Sequence, residues 1–376
     1  MKVLILSSST GGGHNAAGEA IKEALLSAGH EAVFMDMFCL KNERTARMVG
    51  QAYINTARSL PHVFGLLYRI GSLISSSRRK SPVYYANRLM GKRLLTYLEE
   101  HPCDAIVMPH LFPAETITAL KKKHRDMPVC VAVATDYTCI PFWEETDCDY
   151  FIIPHADLAE EFISRGISPD KLIPLGIPVR SAFHPVSDKA EAKLKLHLLP
   201  DKPAYLIMSG SMGFGKIHLF ALELVRHLKE GEQVIIICGS NKKLKRTLKK
   251  MFFHTPGVHI IGYTDRVADF MAACDVIYTK PGGLTSTEAL TMQIPIVHTA
   301  PIPGCENKNR DFFVSRGMSV AAQHIHTQIR QGRLLVDNEA VRNGMLAAQM
   351  SNNNPDAAWQ ICRFLEECTA QKKGNA

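Results

Sequence analysis

The chain has 376 residues, 46% of them hydrophobic and 21% charged, so it can bury a sizeable core and its length points to two domains. That balance excludes a disordered chain, a fibre and a disulfide scaffold. Lys and Arg total 44 against 36 Asp and Glu, a formal charge of +8, which suits an anionic partner without naming one.

The first residues, Met1-Lys-Val-Leu-Ile-Leu6, turn polar at Ser7, an apolar run too short for a signal peptide, and nothing in the chain approaches the about 18 uncharged apolar residues of a membrane span. Cysteines at positions 39, 103, 130, 139, 148, 238, 274, 305, 362 and 368 form no C-x-x-C pair and no compact Cys/His cluster, so neither a zinc site nor a redox motif is expected. Scattered thiols fit a reducing cytoplasm.

In the first half, Val/Ile/Leu-rich runs at Lys2–Ser7, Glu31–Asp36, Ala105–Met108, 129–135 and 150–153 alternate with helix-length amphipathic segments. Near-continuous apolar runs of this length read as strands buried on both faces of a parallel sheet. The pattern recurs at 204–209, 233–239, Val258–Ile261, Val276–Thr279 and 294–298, which predicts an α/β chain of two doubly wound domains. Gly176 and Pro178 in Leu175-Gly-Ile-Pro-Val-Arg180 mark the join, giving domains 1–178 and 179–354. The last segment, 356–368, is helical by pattern, with Ala357, Ile361, Phe364 and Leu365 on one face. Ligands of such domains sit beyond the C-terminal ends of the strands, and a cleft between the two is the expected site.

Three glycine loops follow predicted strands. Ser8-Ser-Thr-Gly-Gly-Gly-His-Asn-Ala-Ala-Gly18 leads into a helix starting near His14, whose free N–H groups suit an anion. Gly11, Gly13 and Ala16 satisfy G-x-G-x-x-A and Asp36 ends the next strand, so a nicotinamide or flavin dinucleotide site is one reading of this loop. In the second loop, Gly210 to Lys216 matches G-x-x-x-x-G-K, but Ile217 stands where a phosphate loop needs a hydroxyl for Mg²⁺, which argues against a nucleotide triphosphatase and leaves a packing turn as the alternative. The third, Thr279-Lys-Pro-Gly-Gly-Leu-Thr-Ser-Thr-Glu-Ala-Leu290, opens a helix whose free N–H groups can cradle a diphosphate, with Glu288 one turn in, either near ribose hydroxyls or acting as a capping carboxylate.

Gly11-Gly-Gly-His14, Ser209-Gly-Ser-Met-Gly213, Gly262-Tyr263, Lys280-Pro-Gly-Gly-Leu-Thr-x-x-Glu288 and Pro301-Ile-Pro-Gly-Cys-Glu-Asn-Lys-Asn309, in this order over nearly the whole chain, resemble the processive diacylglycerol glucosyltransferase and monogalactosyldiacylglycerol synthase group. These are GT-B glycosyltransferases, two Rossmann-like domains facing across a cleft, related to the peptidoglycan enzyme that adds N-acetylglucosamine to lipid I. The resemblance implies inverting transfer of a hexose from a UDP-sugar to a lipid hydroxyl, with diacylglycerol the expected acceptor and no metal-bound donor. It also implies that the final helix, about 355–370, returns to the first domain.

By the same resemblance Glu288 holds the ribose, Gly282, Gly283, Leu284 and Thr285 the diphosphate, and Tyr263 with its neighbours the uracil. Gly210, Ser211, Met212 and Gly213 belong to the donor site, and Glu306, Asn307 and Asn309 face the donor sugar, where carboxylate and amide groups suit hydroxyls. The chain departs from the group at Cys305, where Gln is common, and at Ile140, where the glucosyltransferases commonly carry His. His14 is the matched candidate base, with Asp136 orienting it or serving as base itself, and His110 is a further candidate. Helix and loop N–H groups stand in for a metal at the leaving diphosphate. Asp147 and Asp149 form Asp-Cys-Asp, read as surface carboxylates rather than metal ligands.

Residues 44–98 carry Arg44, Arg47, Arg58, Arg69, Arg78, Arg79, Lys80, Arg88, Lys92 and Arg93 without an intervening acid, interleaved with Val63, Phe64, Leu66, Leu67, Tyr68, Ile70, Leu73 and Ile74. Basic charge with an apolar face suits the surface of an anionic membrane, here the inner face of the cell membrane. A solvated surface and nucleic acid are the alternatives, the latter without the aromatic platforms that would support it. Lys242 to Lys250 forms a shorter basic helix with Leu244 and Leu248 four apart. The rival functions are a GT-B enzyme acting on a prenyl-linked or natural-product acceptor, a dinucleotide-dependent oxidoreductase using the first loop, and a non-catalytic UDP-sugar-binding regulator at membranes.

Overall fold

Strands that are apolar on both faces need a layer of helices on each side, and the computed structural model, which describes residues 1–59, 71, 75, 80–124, 126–208, 210, 216–302 and 304–374, builds two such sandwiches. One compact unit holds Met1–Ser181 and the segment from Asn354 onward; the other holds Ala182–Ile302 and Glu306–Asn353.

The first unit runs β1 (Lys2–Ser7), α1 (Gly12–Ser27), β2 (Glu31–Asp36), α2 (Glu43–Ser59), α3 (Pro82–Arg88), α4 (Gly91–Glu100), β3 (Ala105–Met108), α5 (Leu111–Lys121), β4 (Val129–Val133), β5 (Tyr150–Ile152), α6 (Ala159–Ser164) and β6 (Leu172–Ile173). The second runs α7 (Lys189–Lys195), β7 (Ala204–Met208), α8 (Ile217–Arg226), β8 (Gln233–Ile237), α9 (Lys242–Met251), β9 (Val258–Ile261), α10 (Val267–Ala273), β10 (Val276–Thr279), α11 (Gly283–Thr291), β11 (Ile296–His298), α12 (Cys305–Ser315), β12 (Val320–Ala321), α13 (Ile325–Asp337) and α14 (Glu339–Ser351). The closing helix α15 (Ala357–Gly374) belongs to the first unit.

Every strand pair among the described residues is parallel. The sheet orders are β2-β1-β3-β4-β5-β6 and β12-β11-β10-β7-β8-β9. In the first, the chain winds one way from β1 to β2 and then the other way from β3 outward. In the second it winds from β7 to β9 and then returns to start again at β10. Each sheet therefore has one switch point, between β1 and β3 and between β7 and β10, where the loops leaving the strand ends diverge and open a crevice.

The cores follow the pattern of the sequence. Val3, Ile5, Val107, Val131 and Ile152 pack against Ile21, Ala24 and Leu25 of α1 and against Ile361, Cys362 and Leu365 of α15. Tyr205, Ile207, Val234, Ile236 and Tyr278 pack against Phe220 and Leu224 of α8, Leu244 and Leu248 of α9, and Ile329 of α13. The lysines of α9 point outward around that buried leucine pair. β2 and β9 depart from the fully buried reading, being only partly covered, because they stand at a sheet edge where one neighbour is missing. The pairings of β6 and β12 span two residues each, too short for any periodicity to register.

Helix and sheet approach closely at Gly332 of α13, where an added Cβ would lie 2.0 Å from the hydroxyl of Tyr278, a fully buried ring that cannot swing away. Gly332→Ala should therefore lower stability by about 1–3 kcal/mol, the usual range for overpacking a core. Tyr278→Phe, which removes only a 3.5 Å contact to the Ile329 carbonyl, should cost less. Urea unfolding midpoints read both; equal effects would contradict the packing argument.

Candidate active site

At the first switch point β1 empties into the glycine loop and α1, while β3 empties into Pro109, His110 and α5. His14, in the first turn of α1, reaches across to this second strand end. Its Nδ1 lies 2.9 Å from the Pro109 carbonyl oxygen, and the Thr135 hydroxyl, at the end of β4, lies 2.8 Å from the same nitrogen. A carbonyl oxygen can only accept, so Nδ1 carries the proton and donates to it. In the neutral ring Nε2 then holds the lone pair, the arrangement a general base requires.

Burial pulls the His14 pKa below its ordinary value, while the Asp136 carboxylate and the Pro109 carbonyl push the other way and lose. The imidazole is thus neutral at pH 7, with Asp136 placed to stabilise the imidazolium that proton uptake would form. His110 packs edge-on to His14 with ring centroids 4.6 Å apart. Both of its nitrogens are used: Nδ1 accepts from the Phe112 N–H at 3.1 Å and caps α5, and Nε2 lies 2.7 Å from the Thr10 hydroxyl. Burial, then the proximity of His14, hold its pKa well below the ordinary value. His110 is a capping group that braces the loop.

Asp36 is committed in the same way. One carboxylate oxygen accepts from Ser9 N at 2.8 Å and the other from Phe38 N at 2.8 Å, which ties the glycine loop to the end of β2. The dinucleotide reading of this loop needs that carboxylate for a ribose, and here it is spent on backbone. Asp147 pairs with Lys171 at 2.9 Å, and Asp149 accepts from Lys121 at 2.5 Å and from Cys130 N at 2.8 Å. These acids precede β5, at the end of the sheet opposite to His14.

The second switch point is built from the end of β10. Gly282 N donates to the Lys280 carbonyl at 2.8 Å, closing a tight turn, and α11 starts at Gly283 with no side-chain cap and no acid in its first turn. Its first N–H groups, from Gly283, Leu284 and Thr285, carry the partial positive charge of the helix end. Beneath the helix, buried His298 lies 3.0 Å from the Ser286 hydroxyl and 3.0 Å from that of Ser319, and burial, then Arg310, drive its pKa down to about 3. This fixes α11 on β11. Glu288 is 8% exposed, on the second turn.

Glu306 and Asn309, on α12, both turn toward the Lys280-Pro-Gly-Gly turn. Glu306 takes the Lys280 ammonium on one oxygen and the Ile302 N–H on the other at 2.7 Å, and Asn309 Nδ2 donates to the Pro281 carbonyl at 3.0 Å. Both side chains are buried and support the turn, whereas Asn307 between them is partly exposed. Gly210, across the switch point at the end of β7, has a φ of +70° that favours glycine, and an added Cβ would meet Lys280 at 3.0 Å. Ser211, Met212 and Gly213 lie outside the described residues. Tyr263 leaves the edge strand β9 and is 78% exposed. Thus Gly210, Gly282, Gly283, Glu306 and Asn309 gather around one turn, and Tyr263 stands apart from it. The Pro109 carbonyl, Thr135 and Lys280 complete the two sites without having been singled out, since a carbonyl or a turn lysine leaves no mark in composition.

Within residues 44–98, the described side chains of Arg44, Arg47, Arg88, Lys92 and Arg93 are exposed, alongside Leu89 at 76%, Met48 at 66% and Tyr85 at 55%. The side chain of Arg58, and Arg69, Arg78, Arg79 and the apolar residues from Val63 to Ile74 named above, lie outside the described residues.

Residues 14–179 match the family described as monogalactosyldiacylglycerol (MGDG) synthase, and residues 189–356 match glycosyl transferases group 1. The first half thus matches the MGDG synthase model, the second half the group 1 glycosyl transferase model, and the fold is GT-B. It is 28% identical over 368 residues to the processive diacylglycerol beta-glucosyltransferase of Staphylococcus saprophyticus, covering 97% of this chain and 92% of the relative. To the Bacillus subtilis protein of the same name it is 25% identical over 380 residues, covering 99% and 97%. The crystal structure of MurG from Acinetobacter baumannii superposes with a TM-score of 0.63 at 14% identity over 97% of this chain and 99% of that one, a likeness of fold. Among the described residues of this glycosyltransferase, no helix is long and apolar enough to cross a membrane.

The electrostatics of His14 make a direct prediction. Its ring should titrate below the free imidazole value of about 6.5, and Asp136→Asn should lower it further, because the carboxylate favours the charged ring. NMR titration of the imidazole checks both; an upward move in the variant would contradict the geometry.

Proposed function

We propose that this glycosyltransferase moves glucose from UDP-glucose to the hydroxyl of diacylglycerol, inverting the anomeric centre by a single in-line displacement. The donor half of this reading is carried by the uncapped start of α11 behind the Lys280-Pro-Gly-Gly turn. The acceptor and the sugar are supported by the near full-length likeness to processive diacylglycerol beta-glucosyltransferases.

In this scheme the amides of Gly283, Leu284 and Thr285, with Gly282 and Gly210 leaving room for close approach, bind the diphosphate in place of a metal. Glu288 accepts from the ribose hydroxyls, Tyr263 stacks on uracil, and Asn307 meets the sugar, with Glu306 and Asn309 holding the turn. His14 Nε2 takes the proton of the acceptor hydroxyl while Asp136 steadies the resulting charge. General base catalysis of this kind contributes roughly 10²–10⁴-fold.

The protein works from the cytoplasmic face of the cell membrane, which it meets through the basic residues of the segment 44–98. Each basic side chain near an anionic surface adds about 1 kcal/mol, and exposed Leu89, Met48 and Tyr85 add apolar contact.

The decisive assay incubates the protein with labelled UDP-glucose or UDP-galactose and vesicles holding phosphatidylglycerol with either diacylglycerol or a prenyl phosphate. Glucosyl diacylglycerol should form undiminished in EDTA, and His14→Ala should lose at least about 100-fold in turnover while still binding UDP. Product on the prenyl lipid alone would move the acceptor assignment, and a fully active His14→Ala would remove the base. Vesicle binding should weaken as salt rises.

A further inference from the structure

Lys280 opens the glycine turn but has no part in the scheme above. We propose that its ammonium binds the β-phosphate of the sugar nucleotide and neutralises the charge that the departing UDP acquires, with Glu306 holding it in place until the donor arrives. This assignment rests on the reading of the chain as a UDP-sugar transferase and names a further residue of its donor site.

Three observations point to this. Lys280 stands at the switch point of its sheet, one residue past β10 and three before the uncapped start of α11. Its side chain runs between the two glycines that flank the crevice: a Cβ on Gly210 would lie 3.0 Å from Lys280 Cε, and one on Gly282 would lie 3.6 Å from Nζ. Side chains at either position would cover the ammonium, and neither position has one. Third, the pair with Glu306 is nearly buried, at 15% exposure for the lysine side chain and 8% for the glutamate.

A buried ion pair seldom adds stability over apolar packing of similar size, because the desolvation cost offsets the attraction. Glu306 is itself pinned by the Ile302 N–H at 2.7 Å, so the carboxylate is a fixed partner beside the longer, flexible lysine side chain. A diphosphate lying on the α11 amides would come within reach of that ammonium, and its charge would compete with Glu306 for it.

The chemistry needs such a group. During transfer the bond between the anomeric carbon and the β-phosphate oxygen breaks, and its electron pair stays on that oxygen. The acceptor oxygen forms the new bond to the same carbon, and its proton passes to His14 Nε2. UDP therefore leaves with one more negative charge than it carried as part of the donor. Lys280 keeps its proton throughout and acts as counter-charge, a contribution that grows as the bond breaks and so favours the transition state over the bound donor.

The test compares UDP with uridine, which lacks the phosphates, by calorimetry on the whole protein. Losing a charge-assisted hydrogen bond predicts that Lys280→Met binds UDP about 10–100-fold more weakly. Uridine affinity should stay within about threefold, and kcat should fall more than UDP affinity does, with Lys280→Arg restoring part of both. Lys280→Met strands Glu306, so the double variant Lys280→Met with Glu306→Gln is measured beside it; recovered melting temperature with UDP affinity still lost supports the assignment. Equal loss of UDP and uridine, or UDP binding in the double variant equal to wild type, would overturn it. Failure of the wild-type protein to bind UDP at all would instead sink the donor reading on which it rests.

Discussion

A parallel sheet can wind in two directions only by leaving a gap between the strands where the winding reverses, and the helices that begin there have free amides facing that gap. This constraint governs both halves of the chain. At β10 it produces a glycine turn followed by a helix with no side-chain cap, held against the sheet by neutral His298 and braced by Glu306 and Asn309. At β1 and β3 it brings together two histidines whose hydrogen bonds give them different protonation patterns, one with a lone pair on Nε2 and one with both nitrogens engaged.

The division of labour between those histidines is set by backbone rather than by sequence distance. His14 meets a carbonyl, which can only accept, and His110 meets an amide N–H, which can only donate; each contact dictates which ring nitrogen carries hydrogen. Burial keeps both rings neutral. Asp136 then offsets part of the burial at His14, so one ring remains within reach of protonation while the other is held away from it.

Much of this was legible in the chain itself. Strands such as Lys2–Ser7 and Val276–Thr279 were readable because burial on both faces forces a continuous apolar run, and α11 was readable because a Pro-Gly-Gly turn leads into it. The two-residue pairings of β6 and β12 were not, since so short a contact imposes no pattern. At the site, His14 and the glycine turn stood out by motif. The carbonyl of Pro109, the burial of Glu306 against Lys280 and the capping role of His110 depend on which loops the topology brings side by side, which local composition does not encode. The same limit applies to Asp36, whose position invited a ribose but whose oxygens are taken by the amides of Ser9 and Phe38.

The most direct measurement is amide hydrogen exchange or ¹⁵N NMR at Gly283, Leu284 and Thr285 as UDP is added, with uridine as control. If these amides hold a diphosphate, they should gain protection and shift with UDP and respond far less to uridine. Identical responses to the two ligands, or none to UDP while it is bound, would contradict the account at its foundation.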